Sequence, residues 1–408
     1  MKVLFTTHPT ASHWHPLVPL AQALETAGHE VAFATSPGFC PTIEAKGFRC
    51  FSTGADDIPE ERQQRREQMV GLNAQEDTFF TLRHVFAGVR AERSLMSLLD
   101  ILRDWQPAVV VRENTEFAGC VAAERAGIPH SVVQITAAWT FFLDAVGPPV
   151  ARLCELVGLP AENPGDVLHR YLLLSPRPLS LWNPSVPVPP TTHAIRYAGF
   201  SQSGKEELPA WVSELGKRGE RPTVYATLGT FDNERTDILT AILEGIRDEP
   251  LNLILTVGRN RDPEEFGEQP ANVRVERYVP NNLLLPYCDM VLCHGGSGTM
   301  LDALSLGLPM VLIPIAADQP QNAQRCAELG VARVVEPDRH TGSELAHAIL
   351  DATREVLVAA HYREAAQGLR KEIEELPGLD YAVTLLERLA AERKPLSDSR
   401  LPAATSEP

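Results

Sequence analysis

Strand-length apolar runs alternate along the chain with segments whose apolar residues recur every three or four positions. That grammar predicts parallel sheets covered by helices, and it occurs in both halves. Residues 2–6 read as a strand, 16–27 as a helix and 30–35 as the next strand. Pro16 near the helix start and Gly28 just past its end stand where helix boundaries favour them. A strand at 108–112, a helix at 117–126 stopped by Gly127 and Pro129, and a strand at 130–135 continue the pattern. It breaks between Tyr197 and Pro222, where glycine, serine and proline mix with charge. A second unit then begins with a strand at 223–228, a helix near 234–247 and strands at 252–257 and 273–279. Residues 289–293, a glycine turn, a helix to Leu306 and a strand at 310–315 form a βαβ unit, expected to cross over right-handedly. Residues after Thr341 read as mostly helical.

The chain has 408 residues, too many for one ordinary core, and 44% of them are hydrophobic, enough to fill two. A net charge of −16 argues against a nucleic-acid partner, because no basic stripe offsets it. Residues 61–67 mix arginines with glutamates and read as a solvated helix face or a mobile loop. The seven cysteines are scattered without a C-x-x-C pair, so they read as reduced, buried thiols rather than a disulfide framework or a zinc site. The apolar run at the N-terminus is too short for a signal peptide, and no stretch reaches the roughly eighteen apolar residues of a membrane span. A soluble cytoplasmic protein is expected.

Two loops carry the candidate chemistry. At 289–299 an apolar strand runs into Gly295, Gly296 and Gly298 and then into a helix. Glycines let the backbone approach an anion, and the helix start aims N–H groups and its positive dipole end at the same point. Ser297, Thr299 and His294 add side-chain donors. The turn lacks the lysine of a P-loop, and Leu301 stands where a dinucleotide fingerprint needs a small residue. Asp318, twenty residues beyond Gly298, leaves a ribose-binding acid open, and a glycine-rich connection with no ligand is the bland alternative. The second loop, 7–16, follows the first strand and carries His8, His13 and His15. One of them could act as a general base. Metal binding lacks a nearby carboxylate or thiolate, and loop histidines satisfied by the backbone are the plain reading. A base beside one sheet and a phosphate cradle beside the other suit transfer of a group from a nucleotide to a hydroxyl.

The motifs H-G-G-S-G-T (294–299), G-L-P-M-V-L-I-P (307–314) and A-A-D-Q-P-Q-N-A (316–323), with H-x-x-P at 13–16 and A-G-H at 27–29, extend that reading. Over nearly its whole length the chain resembles the family 1 glycosyltransferases of the GT-B fold, particularly bacterial enzymes that attach sugars to natural products. The resemblance implies two doubly wound, Rossmann-like parallel-sheet domains facing across a cleft. The division expected is an N-terminal acceptor domain at 1–203, a linker at 204–222 and a nucleotide-sugar domain at 223–376. A helix at 377–393 would pack back on the N-terminal domain, followed by a disordered tail at 394–408.

By position, the resemblance gives His294, Gly296, Ser297, Gly298 and Thr299 the donor diphosphate and gives Asp318 and Gln319 the sugar hydroxyls. It sets the Val279 backbone against the pyrimidine and makes Thr230 a further donor contact. His13 matches the catalytic histidine, Glu113 is the candidate acid that orients it, and Glu116 is the fallback. His8 and His15 fall to loop or acceptor-lining roles, and Cys293 stands where the family often has histidine. Phe79, Phe80, Trp139 and Phe142, with Phe86 and Phe141 near them, either wall an apolar acceptor pocket or form ordinary core. No Asp-x-Asp pair occurs, so neither metal nor other cofactor is expected. The activity implied is inverting transfer of a hexose or deoxyhexose from a TDP- or UDP-sugar to a hydrophobic small molecule of antibiotic or polyketide type, by a monomer or homodimer. A nucleotide-sugar epimerase of the same fold, an NAD(P)-dependent oxidoreductase and a non-catalytic helper are the rivals.

Overall fold

The structure is a computed structural model that describes residues 1–137, 140–160, 163–199, 208–212, 221–229 and 234–398. It divides into two compact units, Met1–Phe200 with Leu376–Pro408, and Ser201–Glu375.

The first unit is built on a seven-stranded parallel sheet: β1 (Lys2–Thr6), β2 (Glu30–Thr35), β3 (Arg49–Ser52), β4 (Val109–Glu113), β5 (His130–Val133), β6 (Leu172–Ser175) and β7 (Thr192–Ala194), in the order β3-β2-β1-β4-β5-β6-β7. Continuous apolar runs such as Val109 to Val111 suit a sheet covered on both faces. Alternate residues of β1 serve the two covers. Val3 and Phe5 join Leu17, Leu20 and Leu24 of the N-terminal helical stretch and Leu385, Leu386 and Leu389 of helix Leu379–Glu392, whereas Leu4 joins Leu95, Leu98, Val121 and Leu153. Because β1 lies between β2 and β4, successive connections leave it in opposite directions. That is the switch point where such sheets hold ligands, and it sets the loops after β1 and β4 side by side.

The second unit repeats the plan with β8 (Thr223–Thr227), β9 (Asn252–Thr256), β10 (Val273–Glu276), β11 (Met290–Cys293), β12 (Met310–Leu312) and β13 (Ala332–Val334), ordered β10-β9-β8-β11-β12-β13. Its switch point lies between β8 and β11, at the mouth of the glycine turn. Helices Thr236–Ile246 and Ser343–Val358 close one face through Ile238, Ile242, Ile246, Leu345 and Ile349.

Some expectations are corrected. Cys40 and Cys50 are joined in a disulfide, their Cα atoms 5.5 Å apart. Helix Cys40–Glu44 leads by one short turn into β3, and that return brings together two cysteines whose spacing carries no motif. The other five thiols are buried, as expected. The tail is ordered as far as it is described: Leu396 is buried, its N–H donates to the Tyr171 carbonyl at 2.8 Å, and Asp398 N–H reaches Pro190 at 3.0 Å. Residues 61–67 belong to helix Pro59–Met69, which buries none of its side chains. β12 is three residues shorter than predicted, since the Gln319 side chain takes the N–H groups of Ile315 and Ala316. No described helix is long and apolar enough to cross a membrane.

Candidate active site

At the end of β1 the chain turns into the short helix Ala11–Trp14, anchored by the fully buried Trp14 ring between Phe33 and Phe39. The neighbouring residue, His13, meets the end of β4. Its Nδ1 lies 2.9 Å from Oε1 of Glu113, a carboxylate with no exposed surface. Thr115 grips the same carboxylate twice, through its N–H to Oε2 at 2.5 Å and its hydroxyl, 2.8 and 2.9 Å from the two oxygens. Burial alone would raise the Glu113 pKa, but facing His13, the hydrogen bond from it, His8 and the Thr115 N–H together pull it down to about 2. Glu113 is therefore ionised at neutral pH and can only accept, so Nδ1 carries the proton and Nε2 presents its lone pair. This is the arrangement a general base requires.

Geometry separates the two acid candidates. Glu116 accepts from the Gly119 N–H at 3.0 and 3.1 Å and from the Thr6 hydroxyl. It satisfies the start of helix Ala118–Ala126, and burial raises its pKa. A Cβ on Gly119 would collide with Thr6 and Glu116, so that glycine is a packing residue.

His8 is buried beside the pair, its Nε2 2.9 Å from the Thr115 carbonyl. It also lines a small cavity of about 40 Å³ with Thr6, Ser36, Thr53, Asp57, Arg90 and Glu116. His15 sits near Trp14, with ring centroids 5.3 Å apart. Phe86 meets the His13 ring edge-on at 5.5 Å. The other aromatic residues are less close to the chemistry. Phe79 packs on Phe141 at 6.1 Å, Phe80 on His84 at 4.8 Å, and Phe142 on Phe117 at 6.1 Å and His169 at 6.5 Å. Phe79 and Phe142 are half-buried against the core. Trp139 lies outside the described residues.

In the second unit β11 ends at Cys293, whose thiol burial pushes up to about 12, so it is an inert strand end. Gly295 follows in the left-handed region, at φ 84°, and Gly296 precedes helix Ser297–Ser305. The His294 ring is packed between glycines. A Cβ on Gly229 would come within 2.6 Å of its Cε1, and one on Gly296 would strike its Nε2. The helix start stays accessible through Gly298.

Behind the turn lies a buried polar web. Ser297 Oγ donates to Asp318 Oδ2 at 2.6 Å. Asn322 Nδ2 lies 2.9 Å from the Gly295 carbonyl, 3.0 Å from Asp318 Oδ2 and 3.2 Å from Ser297 Oγ. Gln319 Oε1 accepts from Ile315 and Ala316 at 2.7 and 2.9 Å. The structure thus gathers His294, Gly296, Ser297, Asp318 and Gln319 around one turn. Val279 is buried, and Thr230 lies outside the described residues. Sequence reasoning missed Thr115, Gly229 and Asn322. Each lies in or beside a segment the sequence singled out: Asn322 in A-A-D-Q-P-Q-N-A, Gly229 next to Thr230 and Thr115 between Glu113 and Glu116.

Residues 241–388 match the family described as Erythromycin biosynthesis protein CIII-like, C-terminal domain, and residues 22–145 match the N-terminal domain of the same description. The chain is 32% identical to L-demethylnoviosyl transferase of Streptomyces niveus over 344 residues, covering 81% of this chain and 84% of that one. It is 29% identical to aclacinomycin-T 2-deoxy-L-fucose transferase of Streptomyces galilaeus over 445 residues, covering 97% of each. The crystal structure of glycosyltransferase VinC in complex with dTDP is 27% identical and superposes with a TM-score of 0.77, covering 96% of this chain and all of that one, 100%. On these matches and the twin parallel-sheet plan, the chain belongs to the EryCIII-like family of bacterial natural-product glycosyltransferases of the GT-B fold.

Proposed function

We propose that this glycosyltransferase moves a hexose or deoxyhexose from a TDP- or UDP-sugar to a hydroxyl of a hydrophobic small molecule of polyketide or antibiotic type, with inversion and without a metal. The observation that carries the reading is the His13–Glu113 pair. Glu113 fixes the tautomer, so His13 Nε2 takes the acceptor proton as its oxygen attacks the anomeric carbon. The bond from that carbon to the diphosphate oxygen breaks as the new one forms, and a single displacement inverts the centre. Charge leaving with the diphosphate falls to the N–H groups at Ser297 to Thr299 and to His294.

Asp318 and Gln319 take the sugar hydroxyls. Backbone N–H groups occupy the Gln319 carbonyl, so Gln319 serves the sugar through its NH₂ group. Val279 backbone and Thr230 complete the donor contacts, and Phe79, Phe80, Trp139 and Phe142 wall the acceptor. The dTDP bound by VinC supports a thymidine nucleotide. A panel of TDP- and UDP-sugars, screened first by thermal shift and then with aromatic and macrocyclic alcohols, tests the proposal, because a true donor raises the melting temperature by mass action. Glycoside appearing only with acceptor present supports it. Donor consumption without any acceptor would favour epimerisation, and stabilisation by NAD(P) alone would favour an oxidoreductase.

A further inference from the structure

His8 is the imidazole that the proposed reaction leaves unused, yet it is among the most tightly held side chains beside the base. It is 5% exposed, and its ring makes contacts of three kinds. Nε2 lies 2.9 Å from the Thr115 carbonyl; a carbonyl only accepts, so Nε2 carries the hydrogen. One face lies on Phe86, with centroids 4.3 Å apart and planes at 27°. The ring also meets His13 edge-on at 5.2 Å and 79°.

These contacts converge on the catalytic pair. Thr115, whose carbonyl His8 holds, is the residue whose N–H and hydroxyl hold Glu113. Phe86, on which His8 stacks, is the ring that borders His13. We propose that His8 is a positioning residue, which fixes Glu113 through Thr115 and the His13 ring through Phe86. The inference rests on the reading of His13 as the base.

The charge state of His8 fits the role. Burial lowers its pKa to about 3; Glu113 pulls the other way, and His13 and Arg90 push it further down. Arg90 also reaches the Phe86 ring, at 5.4 Å. His8 Nε2 is only 3.8 Å from Glu113 Oε1, so a charged His8 would compete with His13 for the same carboxylate. Held neutral, it braces the site and leaves Glu113 to His13.

The test compares His8→Leu, which removes both ring and donor, with His8→Gln, which can place an amide N–H near the Nε2 position. Turnover, donor KM, melting temperature and the downfield proton signal of His13 Nδ1–H are measured on the full chain. His8→Leu is expected to lower kcat about 10- to 100-fold, the cost of a misplaced catalytic group, with donor KM within about twofold. The His13 Nδ1–H signal should broaden or vanish in the folded leucine variant and return, with most of kcat, in His8→Gln. A folded leucine variant that keeps both kcat and the signal, or loses only melting temperature, overturns the proposal. If the leucine variant does not fold, His8→Phe, which keeps the stack and loses the donor, carries the same comparison. Should the wild-type protein transfer no sugar, the proposed function fails, and the proton signal alone then judges His8.

Discussion

Replacing Glu113 by glutamine changes almost no volume and removes the carboxylate that holds the proton on His13 Nδ1, beside which the Thr115 hydroxyl also lies at 3.2 Å. The carboxylate is fully buried and accepts from His13 Nδ1 at 2.9 Å and from the Thr115 N–H at 2.5 Å. Glutamine can satisfy only one of these donors with its single oxygen. If that oxygen faces Thr115, the NH₂ group meets Nδ1 and forces the proton to Nε2, where the base should be. If it faces His13, two N–H groups confront each other in a site closed to water, at a cost of about 1–3 kcal/mol. The first outcome is the less costly. kcat should then fall by about 10²- to 10⁴-fold, the range that general-base assistance supplies. The polar web at the glycine turn, where the nucleotide is proposed to bind, lies on other elements, so the melting-temperature rise produced by dTDP or UDP should match that of wild type.

The same carboxylate gives a pH signature. Its folded pKa is depressed to about 2 from an ordinary 4.5, so its stabilising contribution is present above the ordinary value and is lost as pH falls through that window. Glu113→Gln should therefore flatten the acid side of the stability curve between about pH 4.5 and pH 2. A glutamine variant retaining more than a third of wild-type kcat, or losing nucleotide binding in proportion, would refute this reasoning.

Two further substitutions probe the glycine turn as the proposed donor site. Asn322→Leu removes the donor shared by Gly295, Asp318 and Ser297; Asp318 keeps the Ser297 hydroxyl but the buried Gly295 carbonyl loses that donor, so the KM for the nucleotide sugar should rise about 10-fold or more in steady-state assays. Gly296→Ala drives a methyl group into the His294 ring at the helix start, and isothermal titration should find dTDP affinity reduced by about 10-fold or more while the fold is retained. Normal nucleotide affinity in both variants would remove the turn from the donor site.

Fold and site were legible to different depths. The alternation of apolar runs with helical periods located β1, β2, β4, β5 and β8 to β12, because parallel strands buried on two faces leave continuous Val, Leu and Ile signatures, whereas β3, β6, β7 and β13 went unread. The glycine turn was legible because its proposed role requires missing Cβ atoms; at Gly296 the structure adds a different demand for one, the close packing of the His294 ring. What escaped were partnerships made by folding. Thr115 is an ordinary loop threonine until β4 sets it against Glu113, and Gly229 gains meaning only when the end of β8 meets the His294 ring. The Cys40–Cys50 bond escaped for the same reason, since a turn rather than a motif creates it. Between Glu113 and Glu116, three residues apart, sequence could rank but not decide. In the structure Glu113 is the carboxylate that meets His13, at 2.9 Å, while Glu116 is taken up by Gly119 and Thr6, which favours Glu113.

The central claim is that His13 removes the acceptor proton and takes no part in holding the donor. It is tested most directly by measuring turnover and nucleotide-induced melting shifts side by side for wild type and His13→Ala. The account predicts a kcat loss of about 10²- to 10⁴-fold with an unchanged dTDP or UDP shift. Transfer at more than a tenth of the wild-type rate, or a nucleotide shift lost together with turnover, would contradict it.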